Sequence, residues 1–552
     1  LANLVEGYYA APDGLAADAE ATPQQWFAYL QSRFTAIERS KYCDGRTRPM
    51  SGSRSTTPRK AWLDTLWSYY EGDPPLPQIN TDYAELFTEV LRRARCNYAP
   101  SIVGPMVDRM ELQAISTRSD EDTNGDDIAA EIMEETGFDA MFKDLLGFVF
   151  GMAEGYGMVV PGTEDGPLLT VPEVDGTPVP MIHAIDPRRC YGEPDPVNPI
   201  RLRAALVYDY EPVTRANLAH MFLPGRKYTM RQKFGTLAWD WTNMDNPEPT
   251  EVPDNLGGIP IVRFDNFHHL GEYEPHIDLL DRLIDITLRR DVGMWYQALR
   301  SRAVMVDEDE DDYDEAASVV VADQTLAPKT KQDWKELALQ AGPGSFMKFP
   351  KETQLWESGQ TDFGPFINGK TADIQELASV TSTPVYLFTP NEAQSSALGA
   401  GLQREAATSK IKDRRARLQP RLRLLWRIAF AMIGQQERAK RLRFSWGPIE
   451  FVTLIESAEA SQQATGTLST EDRLERCWQM PPDERARNMQ RLTADQITTA
   501  AAAAAGAAQA TPPGAQSTTP PGRATNGQQQ PNGSRAARPQ PAPTQARNAA
   551  PC

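Results

Sequence analysis

Lys410-Ile-Lys-Asp-Arg-Arg-Ala-Arg-Leu-Gln-Pro-Arg-Leu-Arg-Leu-Leu-Trp-Arg-Ile-Ala-Phe-Ala-Met432 carries two patterns at once. Its apolar positions Ile411, Leu418, Leu422, Leu425, Ala429 and Met432 stand seven, four, three, four and three residues apart, a near-heptad seam that predicts a long helix packed on a neighbour. Pro420 predicts a kink in it, because the ring removes one backbone donor. The second pattern is charge. From Lys410 to Arg443 there are twelve basic residues against two acidic ones, in a chain whose net charge is -18, with 57 Lys and Arg against 75 Asp and Glu. A protein that grips nucleic acid over its whole surface is therefore disfavoured, and any DNA contact is local. Lys410, Lys412, Arg414 and Arg415 are the candidates for such a contact, or for pairing with acidic faces of adjacent subunits; both readings stay open at this level.

The segments before this helix fix its setting. Thr383 to Gln394, interrupted by Pro384, Pro390 and Asn391, predicts a loop, and Gln394 to Gly401 is rich in Ser, Ala and Gly. A further helix is expected beyond Asp362. Ile277, Leu280, Ile284, Leu288, Trp295 and Leu299 predict one amphipathic helix over about 275–302, opened by Pro275. The run Asp307-Glu308-Asp309-Glu310-Asp311-Asp312 repels itself too strongly to lie in a core and belongs on a solvated or channel-facing edge. From 158 to 265 short β-rich runs alternate with Pro, Gly, Asp and Asn, while 60–120 reads as helical, which gives an α+β fold. Arg441 to Trp446 and Ile449 to Val452 are strand-like, and helical patterning resumes from about 455, with capping-box spacing at Ser469 and Asp472. Beyond about 511 the composition turns to Pro, Gly, Gln, Ser, Thr, Ala and Asn, which predicts a disordered tail over 511–552.

At 552 residues the chain has room for two to four domains. Its five cysteines, Cys43, Cys96, Cys190, Cys477 and Cys552, form no Cys-x-x-Cys pair, so neither a disulfide framework nor a zinc site is expected. The most apolar stretch, Leu145 to Val160, contains Glu154 and four glycines and is too interrupted to span a membrane. The first residues lack a basic start and an apolar centre, so export is not expected.

Gly364-Pro-Phe-Ile-Asn-Gly369-Lys370-Thr371 matches the phosphate-cradling pattern of a P-loop NTPase. That chemistry needs a buried strand feeding a loop of free backbone N–H groups. Trp356 to Asp362 makes no such strand, and Pro365 has no N–H to offer, so the stretch reads as a helix start. His268, His269 and His276 lack the spacing of metal ligands and read as a solvated turn; His183 and His220 read as packed rings. Gly155-Tyr156-Gly157 does not extend to the dinucleotide-binding glycine pattern. No catalytic set, metal or cofactor is expected.

The order of segments resembles the portal family of tailed bacteriophages, in the form found in long-tailed siphoviruses of actinobacteria. Tyr69-Tyr-Glu-Gly-Asp73 and Asn97-Tyr98-Ala-Pro100 are similar to its opening helices, and Gly257 to Phe264 with Asn266 to the strand before its stem helix. Ile277 to Leu283, continuing to Ala303-Val-Met-Val306, resembles that helix entering the clip. Ser379 to Pro384, then Ser395 to Ala400 and the basic helix, resembles the tunnel loop and the helix behind it. The family often shows Ser-Gly-x-Ala after that loop, where this chain reads Ser396-Ala-Leu-Gly399.

The resemblance implies a portal fold with an N-terminal arm (1–60), a wing (61–265), a first stem helix (266–302), a clip (303–355) and a second stem helix (356–383). A tunnel loop (384–400), a basic helix with returning wing strands (401–455), a helical crown (456–510) and the tail would follow. It places Asn391, Glu392, Gln394, Ser395 and Ser396 in the DNA channel and the acidic run at the clip edge. It further implies a non-enzymatic, dodecameric ring at one capsid vertex of the virion, assembled in the host cytoplasm. Its partners would be double-stranded DNA, the terminase large subunit, a head–tail connector protein and the major capsid protein, with no membrane. Two other classes remain at this level, a packaging NTPase resting on Gly364–Thr371 and a non-ring head–tail adaptor.

Overall fold

Phe138 to Met152 is apolar apart from Asp139, Lys143 and Asp144, which lie on one exposed side, and its nine buried residues belong to the main core. The computed structural model describes residues 21–35, 49–50, 52–53, 58–75, 90–117, 125–162, 173–174, 176–233, 235–236, 238–298, 302–305, 319–321, 324–326, 346–347, 354–357, 362–389, 397–450 and 452–509. Helices α1 (Pro23–Thr35), α2 (Arg59–Glu71) and α3 (Ala99–Asp108) lead into strand β1 (Leu112–Ser116). Helix α4 (Asp127–Thr136) is capped by the Asp126 carboxylate, which accepts from the Ala129 amide; Gly137, at φ 60, then turns the chain into α5 (Phe138–Met152).

A β-rich stretch follows, as the sequence predicts. Strands β2 (Glu154–Val160), β3 (Met181–Ile185), β4 (Cys190–Pro194), β5 (Leu202–Glu211), β6 (Ala216–Leu223), β7 (Arg226–Lys233) and β8 (Ile261–Asp265) build two antiparallel sheets. One runs β4-β5-β6-β7, with the short strands Asp240–Trp241 and Glu248–Pro249 both added on β7; the other runs β8-β2-β3. Pro224-Gly225 closes the β6–β7 hairpin, with Gly225 at φ 73. Helix α1 lies across the larger sheet and buries Phe27, Leu30 and Phe34 against Tyr191, Leu206 and Met221.

Helix α6 (Ile277–Ala298) leaves this body, and the chain returns along α7 (Gly364–Thr381). Strands β9 (Arg302–Met305) and β10 (Gln354–Glu357) pair antiparallel between them, Arg302 opposite Glu357, so the excursion is closed at its start. The side chains of α6 and α7 meet in descending order, Arg282 with Asp373 and Glu376, Gly369 against Ile286, and Gly293 against Phe363, which makes the pair an antiparallel helical hairpin. The helices pass closely there: a Cβ on Gly369 would meet the Cδ1 end of the Ile286 side chain at 2.9 Å, which would have to shift. The strands Val319–Val321, Gln324–Leu326 and Phe346–Met347 form a small sheet of their own within the excursion.

Helix α8 (Ala397–Met432) contains the opening stretch of basic sequence, and Pro420 sits inside it without ending it. The seam packs within the subunit: Leu418, Leu422, Leu425, Trp426 and Phe430 are all buried, and the Trp426 ring meets that of Phe138 at 5.2 Å. The helix comes so close to β2 that a Cβ on Gly157 would touch Leu425 at 3.1 Å, which accounts for the Gly155-Tyr-Gly157 pattern by packing rather than nucleotide binding. Strand β11 (Arg443–Trp446) pairs with β1. The expected strand from Ile449 is not formed among the described residues; Gly447-Pro448 ends the ladder, because Pro448 has no N–H for it.

Helices α9 (Leu454–Gln463), α10 (Thr470–Arg476) and α11 (Pro482–Gln509) follow, and Ser469 caps α10 as its spacing to Asp472 predicts. Residues 1–489 form one compact unit and 490–552 a second, whose described part, 490–509, is helical. The tail, 511–552, lies outside the described residues. Among those described, no helix is long and apolar enough to cross a membrane.

The buried ring of Trp426 sets a test of this core. Replacing it with Ala is expected to destabilise the protein by about 3–5 kcal/mol, and with Phe by clearly less, read from urea unfolding midpoints.

Candidate functional site

Ala153, in the left-handed region at φ 72, turns α5 sharply into β2 and sets Glu154 as the strand's first residue. The β8–β2 register then places Asp265 directly opposite Glu154. Two facing carboxylates repel unless cations separate them. Arg263, two residues before Asp265 and thus on the same face of β8, supplies one: its Nε donates to Asp265 Oδ1 at 2.6 Å and its Nη2 pairs with Glu154 Oε2 at 2.8 Å. Arg59 from α2 pairs with the other Glu154 oxygen and donates to the carbonyls of Pro187 and Cys190 at 3.2 and 3.4 Å. Arg421 from α8 reaches Asp265 Oδ2 at 2.8 Å. The result is a continuous chain Arg59–Glu154–Arg263–Asp265–Arg421, with Arg59, Glu154 and Asp265 buried.

A second clamp lies beside it. Glu272, in the turn before α6, accepts from Lys410 Nζ at 2.7 Å on one oxygen, and from Arg414 Nε at 2.7 Å and Asn266 Nδ2 at 3.0 Å on the other. Lys410 also donates to the Thr381 carbonyl at 2.8 Å, satisfying an end group of α7. Three elements therefore meet at Lys410: α8, the root of α6 and the end of α7. Burial pushes the Asp265 carboxyl up, but Arg263, the hydrogen bond from His269 and Arg421 outweigh it and hold the group far below the usual carboxylate range. Glu272 is lowered in the same way, with Lys410 and Arg414 overcoming its burial.

The residues predicted to touch DNA or a neighbour are thus placed as follows. Lys410 and Arg414 hold Glu272 inside the subunit. Arg415 donates to the carbonyls of Arg109 and, at 2.8 Å, Gly447, and it lies over the Trp446 ring; burial lowers its guanidinium to about 10. Lys412 is exposed. Asn391, Glu392, Gln394, Ser395 and Ser396 lie outside the described residues, as do Asp307, Glu308, Asp309, Glu310, Asp311 and Asp312. Helix α8 starts at Ala397 and so takes in the last part of the expected loop, 384–400. A cleft of about 280 Å³ opens at the described foot of that loop, lined by Ile102, Met106, Tyr386, Leu387, Arg404 and Glu450 among others.

Gly364–Thr371 forms the opening turns of α7, so its amides serve the helix and do not cradle a phosphate. Lys370 points sideways, donating to Thr287 Oγ1 at 3.0 Å and Cys96 Sγ at 3.5 Å. Of the histidines, His269 lies 3.6 Å from Asp265, His183 is exposed on β3 and not packed as its sequence context predicts, and His220 is half-buried against Thr229. No group of three metal-ligating side chains occurs among the described residues.

Sequence reading missed Glu154, Asp265 and Glu272 as the anchors of the basic helix. Glu154 did carry a signal, as the one acid in the apolar stretch Leu145 to Val160.

No family model and no curated protein matches the chain. Among solved structures it is similar to the neck of a native GTA particle computed with C12 symmetry, at 14% identity over 73% of this chain and 95% of that one, with a TM-score of 0.35. It is also similar to the neck of an empty GTA particle computed with C6 symmetry (15% identity, 74% and 97% covered, TM-score 0.34). A third likeness is to the virion of a native gene transfer agent particle (13% identity, 82% and 99% covered, TM-score 0.35). Likenesses of this degree fix neither a fold nor a role.

The ion-pair chain generates a test. Asp265→Asn leaves Arg263 and Arg421 facing a neutral amide and is expected to cost about 3–5 kcal/mol at neutral pH. Because the Asp265 carboxyl sits below its ordinary 3.8, its contribution is complete above that value and is lost as pH falls from there toward the folded-state value. Acid unfolding followed by circular dichroism is therefore expected to show a shallower loss of stability below about pH 4 in the variant than in the wild type.

Proposed function

We propose that this chain is a portal subunit: the repeating unit of a closed, dodecameric ring at one vertex of a phage-like capsid, through which double-stranded DNA passes. The observation that carries this reading is the antiparallel hairpin of α6 and α7, an excursion closed by β9–β10 and rooted in the body by Glu272, Lys410 and the Thr381 carbonyl. Such a stalk suits a stem with a clip at its far end, and it follows the order of segments that resembles the portal family. In this map the wing covers 61–265, the stem helices 266–302 and 356–383, the clip 303–355, the tunnel loop 384–400, the basic helix and returning strands 401–455 and the crown 456–510.

The charge distribution supports the same reading. Much of the basic surface of α8 is used inside the subunit, so the net charge of -18 is left to the remaining surface. Like charge keeps a polyanion sliding past a wall instead of adhering to it. On this proposal the acidic run at 307–312 belongs to the clip edge, which docks the terminase large subunit and later a head–tail connector protein, while the wing meets the major capsid protein. The role is structural, in the virion after assembly in the host cytoplasm, and packaging ATPase activity belongs to the terminase. The helical setting of Gly364–Thr371 disfavours the NTPase reading.

Light scattering with negative-stain electron microscopy tests the proposal. Rings with a central hole are expected; particles that assemble without closing would favour a non-ring adaptor. ATP titrated onto the protein is expected to give no saturable binding, and Lys370→Ala no change in that result; saturable binding lost in Lys370→Ala would restore the NTPase reading.

A further inference from the structure

Lys370 has a setting that the portal reading does not use. It lies on α7, reaches across α6 to Thr287, and donates to the sulfur of Cys96 at 3.5 Å. The same sulfur stands 3.3 Å from Thr287 Oγ1 and 3.5 Å from the Ala94 carbonyl. Cys96 and Lys370 are each half-buried, so a reagent as small as hydrogen peroxide reaches the pair from solvent. The other described cysteines differ: Cys190 is completely buried and burial pushes its thiol far up, while Cys477 is half-buried at the end of α10 in a part of the chain that has no lysine after Lys440.

We propose that Cys96 and Lys370 form a peroxide-driven sulfenamide cross-link, a covalent modification site joining α7 to the segment that leads into α3. In the first step the Cys96 sulfur attacks one peroxide oxygen; the O–O bond breaks, an S–O bond forms, and water leaves with the other oxygen. Sulfur is oxidised to the sulfenic acid and peroxide is reduced. In the second step Lys370 Nζ first gives one ammonium proton to solvent, and the freed lone pair attacks that sulfur. The S–N bond forms, the S–O bond breaks, and hydroxide departs as water with a second proton from the nitrogen. No further oxidant is consumed. Condensation of a sulfenic acid with a nearby nitrogen is established sulfur chemistry, and a thiol reverses it by attack on sulfur.

The bond would staple the returning helix α7 across α6. If the hairpin is a portal stem, a consequence that rests on that reading, the staple would fix the stem against the body in an oxidising medium and release it in a reducing one. The cross-link itself depends only on the geometry within one subunit.

Peptide mass spectrometry of the full chain, treated with hydrogen peroxide and digested without reductant, tests the proposal. A peptide pair joining Cys96 to Lys370, lighter than the sum of its parts by two hydrogens and dissolved by dithiothreitol, is expected. It is expected to vanish in Cys96→Ser and in Lys370→Arg, where Cys96 instead proceeds to sulfinic acid. Lys370→Arg keeps the positive charge, so a correctly folded variant remains available. Cys96 that proceeds to sulfinic acid in the wild type with Lys370 free, that stays a thiol, or that links to another lysine would overturn the proposal. The readout is the same whether or not the subunits close into rings, so its failure is separable from failure of the portal reading.

Discussion

Two carboxylates facing each other across paired strands, with three guanidiniums around them, set the arrangement of the rest of the molecule. Glu154 and Asp265 are adjacent because the β8–β2 register makes them so, and Arg59, Arg263 and Arg421 come from α2, β8 and α8 to neutralise them. Ions out of water are costly, so such a chain is tolerated only where nearly every charge meets an opposite one. A shift of β8 by one residue, or of α8 by one turn, would strand a buried charge, so the chain disfavours those alternatives. The close passage of α8 over Gly157 depends on the same placement, and so does the contact of Trp426 with Phe138.

From that chain the charge pattern continues outward to the hairpin. Glu272 binds Lys410 and Arg414 just before α6 begins, and Lys410 reaches the Thr381 carbonyl just as α7 ends. Both ends of the excursion are thus tied to one stretch of α8, and a displacement of that stretch acts on both. The segment between Thr381 and Ala397 joins α7 to α8 in sequence, and its described start, Thr383 to Thr389, adjoins this junction. This gives the basic helix a structural use for charges that otherwise suggest a nucleic-acid groove.

The helical parts of this design were legible because they obey one period. Ile277, Leu280 and Ile284 alternate over one face, and α6 forms where they predict it, from Ile277 to Ala298. The seam of α8 was equally plain: Ile411, Leu418, Leu422, Leu425 and Ala429 are buried as its spacing selects, while Met432 is only partly so and Leu424, Trp426, Ile428 and Phe430, outside the seam, are buried too. What packs against the seam was not legible, since a heptad pattern does not distinguish a neighbouring subunit from the subunit's own sheet. The anchors were hidden for a related reason. Asp265 and Glu272 look like turn residues beside His268 and His269, and Glu154 looks like an interruption of an apolar run; strand register brings Glu154 and Asp265 to Arg263, and the packing of α8 brings Arg421 to Asp265 and Lys410 to Glu272. The match at Gly364–Thr371 misleads in the opposite direction, because Gly369 serves a helix crossing at Ile286 and Lys370 a polar contact with Thr287.

Cryo-electron microscopy of the assembled protein tests the central claim most directly. The account predicts a closed ring around an open channel. Each subunit would contribute one α6–α7 hairpin, with Arg421 on its own Asp265 and Lys410 and Arg414 on its own Glu272. An assembly without a closed channel, or one in which these cations leave Asp265 and Glu272 to face the channel or an adjacent subunit, would contradict it.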